Sequence, residues 1–272
     1  MMPIIILLVY NSCQSIGNNM RSPAGYDLNK PEVINLTKKI DQISGIAYSA
    51  NDNSLYAIDD DNGDVYNIPL TEHPEIKKWR FGKKADYEDL VMTDTMFYIL
   101  ESHGRIISFS KSFPITQVKE DTITLDGFNE FEALYYDPAA NRMIMICKEC
   151  KNDDKEVVSA YRFNPLLHSF SDTMLKLQRK NIEAITNEKT GRIKISGGSV
   201  NPITGEVFLV SSVNKLLIIT DKDLEVKDAY DLERSEFEHP EGICFAPDGT
   251  LFVSNEATEE TKANILIFKR KK

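Results

Sequence analysis

The sequence predicts an all-β protein, a five-bladed β-propeller, on three observations. A short apolar motif recurs five times, as Ser44-Gly45-Ile46-Ala47-Tyr48, Glu88-Asp89-Leu90-Val91-Met92, Glu132-Ala133-Leu134-Tyr135-Tyr136, Ser196-Gly197-Gly198-Ser199-Val200 and Glu241-Gly242-Ile243-Cys244-Phe245. Its second residues fall at 45, 89, 133, 197 and 242, in steps of 44, 44, 64 and 45, and a period in the low forties marks propeller blades. Each copy runs into a Pro, Asn, Asp or Gly turn and then a second apolar strand, which is hairpin chemistry. A chain of 272 residues, 42% apolar and 27% charged, can build one such ring around a packed core.

The elements follow in order. Unit one reads as strands over 44–49, 54–59, 64–68 and 77–81. Unit two reads as 88–92, 96–101 and 105–109, with an outer strand within 116–125. Unit three gives 132–137, 143–147, 157–163 and 173–177, and unit four gives 196–201, 206–211, 215–220 and 224–230. Unit five supplies only 241–246, 251–254 and 264–268. The β-type segment Glu32 to Leu36 is left over before unit one, and as the fourth strand of unit five it would close the ring without an open edge. The long step of 64 contains a second motif-like stretch, Asn181 to Ile185, but 13 residues from 184 to 197 cannot hold four strands. Ser196 is preferred to Glu183 as the opener of unit four, because the Asn201 to Gly205 turn follows it; residues 178–192 become a polar insertion with one helical turn.

Net charge is −10 and the isoelectric point about 5.0, which argues against nucleic acid and anionic membrane surfaces as partners. The basic tail Lys269 to Lys272 is too short to reverse this and reads as a solvated end. The N-terminus reads as an address. Residues 3–10 are apolar, Asn11-Ser12-Cys13 follows, and a polar stretch comes next. This has the form of a lipoprotein signal, 1–13, with Cys13 as the lipidated residue, then a tether over 14–31 and the propeller over 32–272. Two features are off pattern: no Lys or Arg precedes the apolar run, and Tyr10 replaces the usual Leu. The alternative is a secreted protein with an ordinary cysteine. The apolar run is too short to span a bilayer, so membrane contact is expected through lipid only, at the outer membrane, facing periplasm or surface. A monomer is expected.

The remaining cysteines are Cys147, Cys150 and Cys244. Cys147-Lys148-Glu149-Cys150 has no second pair and no nearby histidine, so zinc is not expected there; a local disulfide and two separate thiols both remain open. Cys244 alternates inward on an apolar strand and reads as core.

In a propeller the innermost strands line a central channel, and the chain enters each of them on the face where the second strand ends. Ser44, Glu88, Glu132, Ser196 and Glu241 should therefore ring one channel mouth, with Asp60, Glu101, Lys148, Ser212 and Glu256 beside them. Carboxylates so gathered must take up protons or a cation. All-oxygen ligands suit Ca²⁺, and with no histidine expected in the ring transition metals are disfavoured. Glu88, Glu132 and Glu241 are the leading metal candidates, with Asp60, Glu101 and Glu256 behind them. The acidic run Asp59 to Gly63 fails EF-hand spacing. No nucleophile elbow and no phosphate-cradling glycine loop is present, and no catalytic residue is assigned. His239 could approach the mouth but is expected at the surface. Trp79 is expected to pack on an outer strand.

Taken together, Ile43-Ser44-Gly45-Ile46-Ala47, Asp86-Tyr87-Glu88-Asp89-Leu90, Phe131-Glu132-Ala133-Leu134, the Ser211 to Leu217 stretch and His239-Pro240-Glu241-Gly242-Ile243 resemble the SdiA-regulated, or calcium-regulated, β-propeller family over about residues 26–270. The resemblance implies a calcium-binding, exported five-bladed propeller related to NHL-repeat proteins, linked to calcium homeostasis, with no established enzyme activity. The family's acidic openers fall on Glu88, Glu132 and Glu241, and Gly197-Gly198-Ser199 departs from its pattern in unit four.

Two functions compete, with a purely structural scaffold without metal as a third reading. One is a non-enzymatic calcium-binding envelope lipoprotein whose acidic face binds an unidentified protein or small molecule. The other is a calcium-dependent hydrolase, of phosphatase or lactonase type, in which the ion activates water and a channel carboxylate serves as base. A phosphate site would want several basic residues beside the acids, and only Lys148 stands at the aligned positions.

Overall fold

The computed structural model describes residues 20–71 and 73–271. Five four-stranded antiparallel sheets form five blades. Blade one is β2 (Ile43–Ser49), β3 (Ser54–Asp59), β4 (Asp64–Pro69) and β5 (Lys77–Arg80). Blade two is β6 (Tyr87–Met92), β7 (Met96–Glu101), β8 (Arg105–Ser110) and β9 (Lys119–Thr122). Blade three is β10 (Asn129–Asp137), β11 (Arg142–Cys150), β12 (Val157–Asn164) and β13 (Ser169–Gln178). Blade four is β14 (Gly197–Val200), β15 (Val207–Ser211), β16 (Leu216–Thr220) and β17 (Val226–Asp231). Blade five is β18 (Pro240–Phe245), β19 (Leu251–Asn255) and β20 (Asn264–Phe268), and its fourth strand is β1 (Glu32–Asn35). The leftover N-terminal segment closes the ring as expected, pairing Glu32 with Ile267 and Asn35 with Asn264. Innermost strands contact in the order β2, β6, β10, β14, β18 and back to β2.

The core lies between blades. Ile46, Leu55 and Tyr66 of blade one meet Cys244, Phe252 and Ile265 of blade five, and equivalent clusters fill the other four junctions. The outer strands of blades one and two are short and charged: Lys-Lys-Trp-Arg in β5 and Lys-Glu-Asp-Thr in β9 are mostly exposed, which keeps those sheet edges from pairing with other chains. Trp79 on β5 stacks on Phe113 at 3.9 Å between ring centroids.

Innermost strands approach so closely that three motif glycines have no room for a side chain. A Cβ on Gly45 would stand 2.3 Å from the Leu90 nitrogen, one on Gly197 2.5 Å from the Glu241 carbonyl, and one on Gly242 2.5 Å from the Ser44 carbonyl. The second residue of each of these repeats thus leans on the opening of the next blade. Polar stitches run the same way. Ser44 Oγ donates to the Glu88 carbonyl, and Ser254 Oγ donates to the Ser44 carbonyl at 3.0 Å.

Two features differ from expectation, and the open question of the cysteines is decided. Within the described part of the 14–31 tether, residues 20–31 are docked: Tyr26 and Leu28 are buried against Phe208, Val210 and Phe268, and Tyr26 Oη donates to the Gly249 carbonyl at 2.7 Å. An aromatic and a leucine that can reach an apolar seam between blades four and five do not stay in water. The 178–192 insertion forms a helix, α1 (Arg179–Thr186), longer than the single turn expected. Glu183 lies on it, paired with Arg179, and the Ser196 N–H bonds Val210, so blade four opens at Ser196. Cys147 and Cys150 are joined as a disulfide, and Cys244 is a buried free thiol. No helix among the described residues is long and apolar enough to cross a membrane. The lipidation assigned to Cys13 falls outside the described residues.

Candidate metal centre at the channel mouth

The glutamates reach the mouth because the ladder skips them. Tyr87 pairs with Glu101 and Asp89 with Leu100, leaving Glu88 out. Phe131 pairs with Cys147 and Ala133 with Ile146, leaving out Glu132; Pro240 pairs with Asn255 and Gly242 with Ser254, leaving out Glu241. Such a bulge re-aims the extra side chain away from the sheet. Three blades therefore deliver one glutamate each to the same place.

That place is a cavity of about 170 Å³ lined by Ser44, Asp60, Asp86, Glu88, Glu132, Lys148, His239, Glu241 and Glu256, with Gln42 and Ile43 at its edge. Of the six predicted ligands, Glu88, Glu132, Glu241, Asp60 and Glu256 are brought together here. Glu101 is not among the lining residues. Its Oε2 accepts from Arg105 Nε at 3.0 Å, because Arg105 sits directly opposite it across the β7–β8 hairpin.

The electrostatics are those of crowded, half-dehydrated acids. Burial first, then Glu132 and Asp86, push Glu88 up to about 9. Glu241 lies well above the usual carboxylate range through burial and then Glu132, Glu256 and Glu88. Asp60 rises to about 6, by burial and then Glu256. Glu132 is also raised by burial, although Lys148 opposes the shift. Lys148 Nζ lies 3.1 Å from Glu132 Oε1 and 3.4 Å from Glu130 Oε1, and these acids outweigh its own burial and strengthen its charge.

His239 corrects the expectation that no histidine reaches the ring. Its Nδ1 lies 2.6 Å from Glu256 Oε2 and 3.2 Å from Glu241 Oε1, and the three residues offer ligand atoms within 4.8 Å of one another. The signal was strand alternation: His239 stands two residues before Glu241 and so shares its side. The same offset places Asp86 beside Glu88 and Glu130 beside Glu132.

Residue 25 begins the stretch matched by the family model described as SdiA-regulated, which runs to residue 258 and spans all five motifs. The chain belongs to the SdiA-regulated family. No protein of curated function matches it by sequence. Among solved structures, this SdiA-regulated protein resembles glutaminyl cyclase from Myxococcus xanthus, at 10% identity over 89% of this chain and 96% of the other, with a TM-score of 0.61. A Bacteroides thetaiotaomicron protein of unknown function follows at 10% identity, 92% and 76% coverage, and a TM-score of 0.55. A third is Agrobacterium tumefaciens regucalcin, described as a calcium-binding protein, at 11% identity, 91% and 95% coverage, and a TM-score of 0.52. At identities this low the likeness shows a shared fold and nothing more.

The donor set of this family member fits a hard divalent ion. Glu132 is 8% exposed, and its Oε2 is buried without a hydrogen-bond partner; Asp60 Oδ1 is likewise unpartnered. A buried carboxylate oxygen without a donor is costly unless a cation or proton meets it. Glu88, Glu132, Glu241, Asp60 and Glu256 line the cavity with carboxylates, whose oxygens are the kind calcium takes, and among the described residues the group here whose ligand atoms lie within 4.8 Å of one another is His239, Glu241 and Glu256.

Proposed function

We propose that this SdiA-regulated propeller is a calcium-binding protein of the cell envelope, held there by lipid at Cys13, that works by binding a partner or ligand on its acidic face. The ion sits at the channel mouth on Glu88, Glu132 and Glu241, with Asp60 beside them. The observation that carries this reading is Glu132 Oε2, buried among carboxylates with no partner. The calcium-binding description of regucalcin, which shares the propeller, adds support. The test is the melting temperature in calcium against chelator, for wild type and for the Glu88→Gln/Glu132→Gln double variant. Stabilisation by calcium in wild type alone is expected. Equal stabilisation of both removes the ligand assignment, and tighter, His239-dependent binding of zinc or manganese removes the ion assignment.

A hydrolase reading draws on one observation: Glu88, pushed up to about 9, keeps its proton at neutral pH beside other acids and could act as a general acid. Screening phosphoesters and lactones with calcium decides between the readings. Turnover lost in Glu132→Gln would favour the enzyme.

A further inference from the structure

Among the residues that follow or end the second strands, blade three alone carries a base. At the ends of the second strands, blades one, two and five place Asp60, Glu101 and Glu256, and blade four places Ser212, whereas blade three places Lys148. Lys148 is held there firmly. It lies inside the four-residue ring closed by the buried Cys147–Cys150 disulfide, and Glu149 beside it turns outward to Arg192 at 3.8 Å and Lys194 at 3.6 Å in the approach to blade four. Its ammonium lies against Glu132 and Glu130.

The two oxygens of Glu132 have opposite fates. Oε1 meets the ammonium at 3.1 Å, while Oε2 is buried and meets nothing. A glutamate divided in this way can offer a metal one oxygen and not two. We propose that Lys148 is a resident counter-cation that holds Glu132 to single-oxygen coordination and limits the mouth to one divalent ion. This inference rests on the calcium reading above. Two physical effects act together. A fixed positive charge on the carboxylate that binds the ion repels it, and that repulsion is weakly screened in a partly buried site. Removing the base also frees Glu132 for the two-oxygen grip that calcium accepts readily. Lys148 thus sets affinity and stoichiometry: a weaker, single-ion site that can release its ion as calcium falls.

Titration calorimetry with calcium chloride at constant pH and ionic strength tests this on wild type, Lys148→Met, Lys148→Gln and Lys148→Arg. Wild type should bind one ion. Both neutral variants should bind at least tenfold more tightly or take a second ion, and Lys148→Arg should stay within about twofold of wild type. Melting in chelator confirms that each variant folds. Should the neutral variants not fold, wild type and Lys148→Arg still decide: two ions in wild type, or a tenfold gain in Lys148→Arg, overturns the inference. Wild-type binding that is unchanged or weakened in the neutral variants overturns it alone and leaves the calcium reading standing. Binding to none of the four overturns the calcium reading and this inference with it. Binding to the neutral variants alone supports the counter-cation and overturns calcium binding by the native protein.

Discussion

The buried Asp89 carboxylate in blade two accepts the Leu134 backbone N–H of blade three at 2.7 Å, while its other oxygen accepts the N–H of Leu90, also at 2.7 Å. One side chain therefore completes the hydrogen bonding of two innermost strands at once. Asp89→Ala leaves both donors dry, at about 1–3 kcal/mol each, so a loss of about 2–6 kcal/mol is expected in urea unfolding. A loss below about 1 kcal/mol would show that water or another group serves these donors.

Gly45 and Gly242 fill the same role sterically. Gly45→Ala and Gly242→Ala each drive a methyl into backbone of the neighbouring blade and should destabilise by about 3 kcal/mol or more. Gly191→Ala is the control, since nothing lies within 4 Å of its Cβ position. Equal melting temperatures for all three variants would contradict the close approach of the blades.

The docked segment before β1 makes its own prediction. Leu28 is 1% exposed between blades four and five, so Leu28→Ala should cost about 2–5 kcal/mol. A tether without packing would tolerate the change with no shift in the chemical-denaturation midpoint.

The acids at the mouth give a pH dependence whose sign is fixed. Glu88 rises from an ordinary 4.5 to about 9, and Asp60 from 3.8 to about 6. Between those limits the folded protein holds more protons than the unfolded chain, so stability falls as pH rises. The contribution of Asp60 is lost between about pH 4 and 6 and that of Glu88 between about pH 4.5 and 9. In chelator, the melting temperature of wild type relative to Glu88→Gln should therefore decline from pH 5 to 9. Calcium should flatten the decline, because the ion takes the place of the proton. An increase across that range in chelator would contradict the assignment.

Much of the fold is legible in the residues because each blade repeats the same local instructions: an apolar alternation, a hairpin turn and a small or acidic opener. Even the closing strand could be read, since Glu32 to Leu36 has strand chemistry and no other blade to join. The gathering of Glu88, Glu132 and Glu241 could be read because innermost strands share an axis. What the repeat does not encode is competition between side chains. Glu101 lies opposite Arg105 on the β7–β8 hairpin and is captured by it, a contact that four-residue spacing alone could have suggested. His239 and Asp86 join the mouth from two residues before the openers Glu241 and Glu88, outside the repeated motif itself. Docking of Tyr26 and Leu28 depends on an apolar seam that exists only once blades four and five have met.

The pairing of β1 with β20 also governs timing. β1 has to wait for a partner more than 200 residues later in the chain, and contacts so distant in sequence slow folding. A chain stalled on the ribosome before Asn264 leaves the outer edge of β19 without its partner, and β1 is left as a bare ribbon. Both are adhesive edges. Truncated products should therefore aggregate or be degraded, and β20 acts as the clasp for the whole ring.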